Sequence, residues 1–374
     1  MGSVGQLPDG RWQGRYSVQD TEGRRAVYGR TKREAEDRLI DALRDRNHGA
    51  LAVTRGRGPT LTAHCEGWLA GASLRLRPRT LERYAQLLAT HVLPALGPVP
   101  IAKLEIDHVN RLLAAKRAAG LAPATVAGVR TVLRAALAAA VRTGRLQRNV
   151  AALADAPRLP DSQRPVLTQA QAGRLLAAAE SDSEGPLWTL AVTTGMRLSE
   201  LLGLRWSDVD AQQRVVRVER SLQRVGGAWL LPEPKTRRAR RTVPLAPLAL
   251  AALDRQRARQ AGCRLLAGPQ WRNTWGDLVF TGAHGEPRFG PAIARHLRRQ
   301  SAALGLPNVG MHGLRRTAAS LLADSGVPIQ TVGDYLGDGV VTTLKHYVRA
   351  VPGSRRHAAD ALDVILTAPA APTG

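Results

Sequence analysis

The stretch Thr194-Gly195-Met196-Arg197-Leu198-Ser199-Glu200-Leu201-Leu202-Gly203-Leu204-Arg205-Trp206-Ser207-Asp208-Val209-Asp210 sets a cation and a carboxylate inside text that otherwise reads as core. Apolar residues run into it from upstream at helical spacing, which predicts one helix over 187–202. An arginine in that setting needs an anion, and Glu200, one helical turn on, is placed to hold its guanidinium. Spacing alone leaves two readings open: an ordinary buried Arg–Glu pair, or a site built to receive an anion from outside.

The text from 164 to 374 mixes periods. Helical spacing recurs over 168–180, 248–261, 291–304, 314–325, 329–336, 341–348 and 358–366. Alternation predicts short strands over 215–222, 229–231 and 241–245 around Gly226-Gly227. Upstream, 59–158 is helical throughout, with helices expected over 62–71, 79–91, 106–120 and 123–144, divided by Pro94, Gly97-Pro98, Pro100 and Gly120. Residues 1–58 read as a small sheet with one helix. Pro8-Asp9-Gly10 and Glu22-Gly23 are turns beside strands over 11–18 and 24–29. Thr31 and Glu34 have capping-box spacing before an apolar stripe of Ala35, Leu39, Ala42 and Leu43. Arg55-Gly56-Arg57-Gly58-Pro59 and residues 157–165 read as linkers. The fold class is thus multidomain and mainly α: a small α+β unit over 1–58, a helical unit over 59–158, and a mixed but mainly helical unit over 164–374.

The chain has 374 residues, 44% hydrophobic and 22% charged, which excludes disordered and fibrous classes. Lys and Arg number 54 against 30 Asp and Glu, a net charge of +24. An excess of that size calls for a polyanion, nucleic acid ahead of an anionic membrane. Residues 59–158 alone hold 14 basic against 5 acidic residues. Aromatics make up only 4%, with two Phe, so few platforms exist for stacking successive single-strand bases. Duplex DNA is the expected partner. Cys65 and Cys263 stand far apart without CxxC spacing, which argues against a zinc ribbon or disulfide framework. Neither a signal peptide nor a run approaching about 20 consecutive apolar residues is present, so a cytoplasmic protein without membrane contact is expected, nucleoid-associated when bound to DNA. No GxxxxGK[ST] loop offers a site for nucleotide hydrolysis.

Three further places put polar residues into apolar text. Pro234-Lys235-Thr236-Arg237-Arg238-Ala239-Arg240-Arg241 crowds cations on a hairpin: either Lys235 reaches into a site, or all of them neutralise phosphates. His312 and Arg315 share a face at i and i+3. A His beside a fixed cation is biased towards neutrality, which suits proton shuttling, and a plain surface His is the other reading. Tyr347, in Thr343-Leu344-Lys345-His346-Tyr347, reads as a packing residue or as a nucleophile. Arg75, Arg77 and Arg79 cluster at an expected helix start, in position to meet DNA.

Taken in order, Gly195-x-Arg197, Lys235 on a hairpin, His312-x-x-Arg315 and Tyr347 after Leu336-Gly337 resemble the tyrosine recombinases, the phage-integrase family of site-specific DNA recombinases. Pro-Lys-Thr, His-x-Leu-Arg-x-Thr-Ala and Tyr-Leu-Gly stand in that family's order. The helical unit resembles its core-site DNA-binding domain, and the first 58 residues its three-stranded arm-site binding domain. The resemblance implies transesterification without metal or other cofactor. Tyr347 attacks a phosphodiester and becomes joined to the 3′-phosphate, while Arg197 and Arg315 grip the nonbridging oxygens. Lys235 protonates the leaving 5′-oxygen, His312 assists and Glu200 positions. Arg237, Arg238 and Arg240 are expected to bind DNA. Four protomers exchange strands through a four-way junction, the helix over 358–366 docks on a neighbour, and accessory proteins that bend DNA or favour excision join the complex. The resemblance extends to integration or excision of a mobile element.

Two positions depart from the pattern. Where the family has His or Trp, nine residues before the tyrosine, stands Asp338. A carboxylate there repels the scissile phosphate unless it is protonated, turned away or paired with a cation such as Lys345. The His-Thr that commonly follows the motif arginine is Arg316-Thr317. An alternative is therefore a catalytically impaired, recombinase-derived DNA-binding protein. A relaxing enzyme of topoisomerase type shares the chemistry but acts without site preference.

Overall fold

The computed structural model describes residues 2–17, 24–47, 58–157, 165–234, 239–339 and 343. Lys235, Arg237, Arg238, Lys345, Tyr347, most of each linker, and the helices expected over 341–348 (Thr343 apart) and 358–366 lie outside them. The chain divides into two compact units, 1–162 and 163–374.

In the first unit, β1 (Gly2–Gln6), β2 (Trp12–Ser17) and β3 (Arg24–Gly29) form an antiparallel sheet in chain order, with Gly2 opposite Tyr16 and Trp12 opposite Gly29. Helix α1 (Lys32–Asn47) follows and buries Ala35 and Leu39. Its start is fixed by Thr31 Oγ1, which accepts from Glu34 N at 3.2 Å, while Glu34 Oε2 accepts from Arg30 N at 2.8 Å.

Beyond it lie α2 (Leu61–Ala72), α3 (Pro78–Leu87), α4 (Leu93–Leu96), α5 (Ile106–Ala118), α6 (Pro123–Arg142) and α7 (Val150–Leu153). The helix expected over 79–91 does not end there. It widens into a π turn over Leu88–Val92 and resumes as α4. Pro94 supplies no amide and its ring crowds the preceding turn, and the wider turn accommodates both effects. Val126, Val129, Val132, Leu133, Ala136, Leu137 and Ala140 make one buried stripe on α6, against Leu61, Leu88, Val92 and Leu112. By length and composition α6 is apolar enough to cross a membrane.

The second unit begins with α8 (Gln169–Ala179), α9 (Gly185–Thr194) and α10 (Leu198–Leu202). Strands β4 (Val209–Asp210), β5 (Val215–Val218) and β8 (Arg241–Pro244) form a sheet in the order β4-β5-β8, all antiparallel. Between them β6 (Gln223–Val225) and β7 (Ala228–Leu230) make a separate hairpin. The strand expected over 215–222 is therefore shorter, ending at Val218. The backbone leaves the first sheet after Val218, and Leu222 N bonds Ser199 O at 2.7 Å instead of continuing the ladder. Among the described residues four more helices follow: α11 (Pro247–Ala267), α12 (Gly290–Ala303), α13 (Met311–Asp324) and α14 (Ile329–Leu336). Its core gathers Trp188, Leu190, Leu201, Val216, Val243, Leu253, Phe280, Leu297 and Leu314.

Candidate active site

The helix expected over 187–202 is broken. Helix α9, buried along nearly its whole length, stops at Gly195, whose φ of +60° is left-handed. Glycine is required there twice over, because a Cβ would also lie 2.3 Å from Leu336 Cδ2. The apolar periodicity continues across the break, which is why it predicts one helix. The interruption leaves Arg197 extended as the N-cap of α10, at φ −71° and ψ 148°. Glu200 then serves two donors of Arg197. Its Oε2 accepts from Arg197 N at 3.0 Å and its Oε1 from Arg197 Nη1 at 2.7 Å.

Helix α13 brings Arg315, which is 0% exposed. Its Nη1 donates to Gly195 O at 2.7 Å and its Nη2 to Leu336 O at 2.8 Å. One guanidinium thus ties the end of α9 to the end of α14, where helix carbonyls lack partners and the macrodipole favours a cation. Asp338 follows Gly337, whose φ is +70°. Gly337 N bonds Asp334 O at 3.1 Å and Asp338 N bonds Gly333 O at 2.9 Å, the two bonds of a Schellman cap. The cap sets the Asp338 carboxylate between the arginines, its Oδ1 2.5 Å from Arg197 Nη2 and its Oδ2 2.5 Å from Arg315 Nη2. Asp338 is therefore paired with cations, namely Arg197 and Arg315.

A third arginine completes the group, one that sequence reading counts only among the hairpin cations. Arg241, first residue of β8, donates from Nη2 to Glu200 Oε2 at 3.2 Å, from Nε to Tyr335 O at 3.0 Å and from Nη1 to Ala239 O at 3.3 Å. Burial pushes its guanidinium pKa down, aided by Arg315 and Arg197 and opposed by Glu200. Burial pushes the Glu200 carboxyl up, yet Arg241 and Arg197 outweigh it and hold the carboxyl below its ordinary range. Among the described residues the cluster sets three cations against two carboxylates. Arg197, its side chain 36% exposed, is the one of the three that opens to solvent. A partly exposed guanidinium backed by buried ones is an electropositive seat for an anion.

The remaining expected residues divide. His312 is exposed in the first turn of α13, one turn before Arg315. Arg316 is buried and donates to Pro165 O at 2.8 Å, while Thr317 Oγ1 accepts from Leu167 N at 3.0 Å, so this pair fastens residues 165–167 to α13. Arg240 is paired with Glu219 at 2.6 Å. In the first unit Arg75 and Arg79 are exposed and Arg77 is half-buried around the start of α3. Tyr335 is not a candidate nucleophile: its hydroxyl donates to Thr193 O at 2.7 Å and burial pushes its phenol pKa up.

The family model for the phage integrase family matches residues 165–352, and that for the phage integrase central domain matches residues 62–156. An integrase of Streptomyces ambofaciens is 32% identical over 350 residues, 89% of this chain and 87% of that one. Tyrosine recombinase XerC of Mesorhizobium japonicum is 30% identical over 312 residues, 77% of this chain and 91% of that one. Among solved structures, the Tn1549 transposon integrase in complex with a circular intermediate DNA superposes with a TM-score of 0.70 at 22% identity, over 82% of this chain and 100% of that one. A lambda integrase tetramer bound to a Holliday junction gives 0.58 at 20% identity, over 93% and 96%.

Proposed function

The chain belongs to the phage integrase family of tyrosine-type site-specific recombinases, and from that premise we propose that the cluster around Arg197 and Arg315 is its DNA-cleavage site. The observation that carries the proposal is the convergence of Arg197, Arg241 and Arg315, from three separate elements, on two carboxylates: Asp338 bridges Arg197 and Arg315, and Glu200 bridges Arg197 and Arg241.

At this seat Arg197 and Arg315 hold the nonbridging oxygens of the scissile phosphate and neutralise charge that grows as phosphorus becomes five-coordinate. Both stay charged through the reaction because a guanidinium does not deprotonate near neutrality. Tyr347 attacks phosphorus. A phenol with pKa near about 10 is a weak nucleophile at pH 7, and the positive seat favours its anion as it attacks. The P–O bond to the 5′-oxygen breaks, Lys235 supplies the proton, and a 3′-phosphotyrosine and a free 5′-hydroxyl result. His312 assists proton movement, and Glu200 orients Arg197. A 5′-hydroxyl from another strand reverses the step without loss of bond energy. Family membership does not favour the alternative of an impaired DNA-binding derivative.

The further assignments rest on charge and on the relatives. Duplex DNA is the partner, in the cytoplasm. Residues 1–58 bind arm-type sites and 59–158 the core site through Arg75, Arg77 and Arg79. Arg237, Arg238 and Arg240 meet phosphates near the hairpin. A homotetramer carries out exchange, joined through 358–366 and aided by bending or excision factors. Incubation with a duplex carrying the recombination site tests the cleavage proposal. Wild type is expected to give a denaturation-resistant protein–DNA adduct that Tyr347→Phe, Arg197→Ala and Arg315→Ala each abolish. An adduct undiminished in the arginine variants contradicts it.

A further inference from the structure

The proposed phosphate seat has an occupant of its own. Asp338 gives one carboxylate oxygen to Arg197 and the other to Arg315, the grip that two guanidiniums make on two oxygens of a phosphodiester. An Nη2 group carries two hydrogens. On Arg315 one goes to Leu336 O and the other to Asp338 Oδ2. That nitrogen can turn to a substrate oxygen once Asp338 lets go.

Burial and charge agree. Arg315 is 0% exposed and the Asp338 side chain 7%, so the carboxylate lies between Arg315 and the opening at Arg197. Exchanging a carboxylate for a phosphodiester, each of one negative charge, leaves the balance of the cluster unchanged. Adding the phosphate beside the carboxylate sets two like charges in contact. The Schellman cap pins the Asp338 backbone, so the exchange needs only rotation about its side-chain torsions.

We propose that Asp338 is an internal ligand of the phosphate seat, and that the scissile phosphate enters by displacing its carboxylate. The proposal rests on the reading of this cluster as the cleavage site. Displacement is then part of every cleavage event and holds the free enzyme back. A residue without charge at position 338 removes that brake.

The test compares the full chain with Asp338→Asn and Asp338→His. Inorganic phosphate is titrated by calorimetry, and adduct formation is timed on a duplex carrying the recombination site. Both variants are expected to bind phosphate about tenfold more tightly than wild type and to form adduct faster, and Arg315→Lys in the Asp338→Asn background is expected to erase the gain. Equal phosphate affinity in wild type and in cooperatively melting variants overturns the proposal. If the variants fold only with phosphate present, the anion has taken the place of Asp338 and the proposal stands. If they fold under neither condition, Asp338 is a structural counter-ion and the proposal fails. Tighter phosphate binding with no adduct from any protein keeps the internal ligand and removes the cleavage reading instead.

Discussion

Glu200 is the residue on which the charge balance of the site turns. Its carboxyl is held below the 4.5 of a free glutamate because Arg241 and Arg197 outweigh the opposing cost of burial. A lowered carboxylate stabilises the fold fully above its unfolded pKa, and the contribution fades as pH falls through the folded value. Wild type is therefore expected to lose urea resistance as pH drops below about 4, and Glu200→Gln to make that slope shallower. At pH 7 the same substitution leaves the buried Arg241 short of a counter-charge, at a cost of about 3–5 kcal/mol in a urea titration. Arg241→Lys keeps the charge but loses the three-way fork. Single-turnover cleavage is expected to slow about tenfold while equilibrium DNA affinity stays level, the pattern of a positioning residue. Arg197 and Glu200 are legible in the text because they lie one helical turn apart. Arg241 is not: its partners Glu200 and Tyr335 stand 41 and 94 residues away, a reach that no local period encodes.

Glycines decide the elements that matter most. Gly195 ends α9 and Gly337 ends α14, both left-handed, and Arg315 spans the two ends. Gly195→Ala forces a side chain into a left-handed turn and into Leu336, so a loss of about 1–3 kcal/mol is expected in thermal melts. It is also expected to cut cleavage by more than the stability loss explains, because Arg197 takes its direction from that turn. Gly337→Ala sets a side chain at a left-handed φ of +70°, at about 1–2 kcal/mol. Helix 329–336 is readable to the residue, since its apolar face and the following Leu336-Gly337 step agree. The break inside 187–202 is hidden for the opposite reason. Apolar periodicity runs through it, and only the close approach of Leu336, remote in sequence, makes a left-handed Gly195 necessary.

For the molecule as a whole, the governing quantity is the net charge of +24. DNA binding is expected to weaken by roughly a thousandfold between 50 and 200 mM salt if about six phosphates are neutralised, as read by fluorescence anisotropy. A shallow salt slope contradicts a backbone-dominated interface. Deleting residues 1–55 is expected to abolish binding to distal arm sites while leaving core-site cleavage intact, and equal loss at both rejects a separate arm-binding role. Charge and composition make the polyanion partner legible from the text alone. The way three arginines from distant segments share two carboxylates, Asp338 between Arg197 and Arg315 and Glu200 between Arg197 and Arg241, is a property of the folded chain. The most direct measurement is to trap the covalent adduct on a duplex carrying the recombination site, digest it, and identify the modified peptide by mass spectrometry. The predicted result is a nucleotide joined through its 3′-phosphate to Tyr347, with a free 5′-hydroxyl on the released strand; attachment to any other residue, or a 5′-phosphate linkage, contradicts the account.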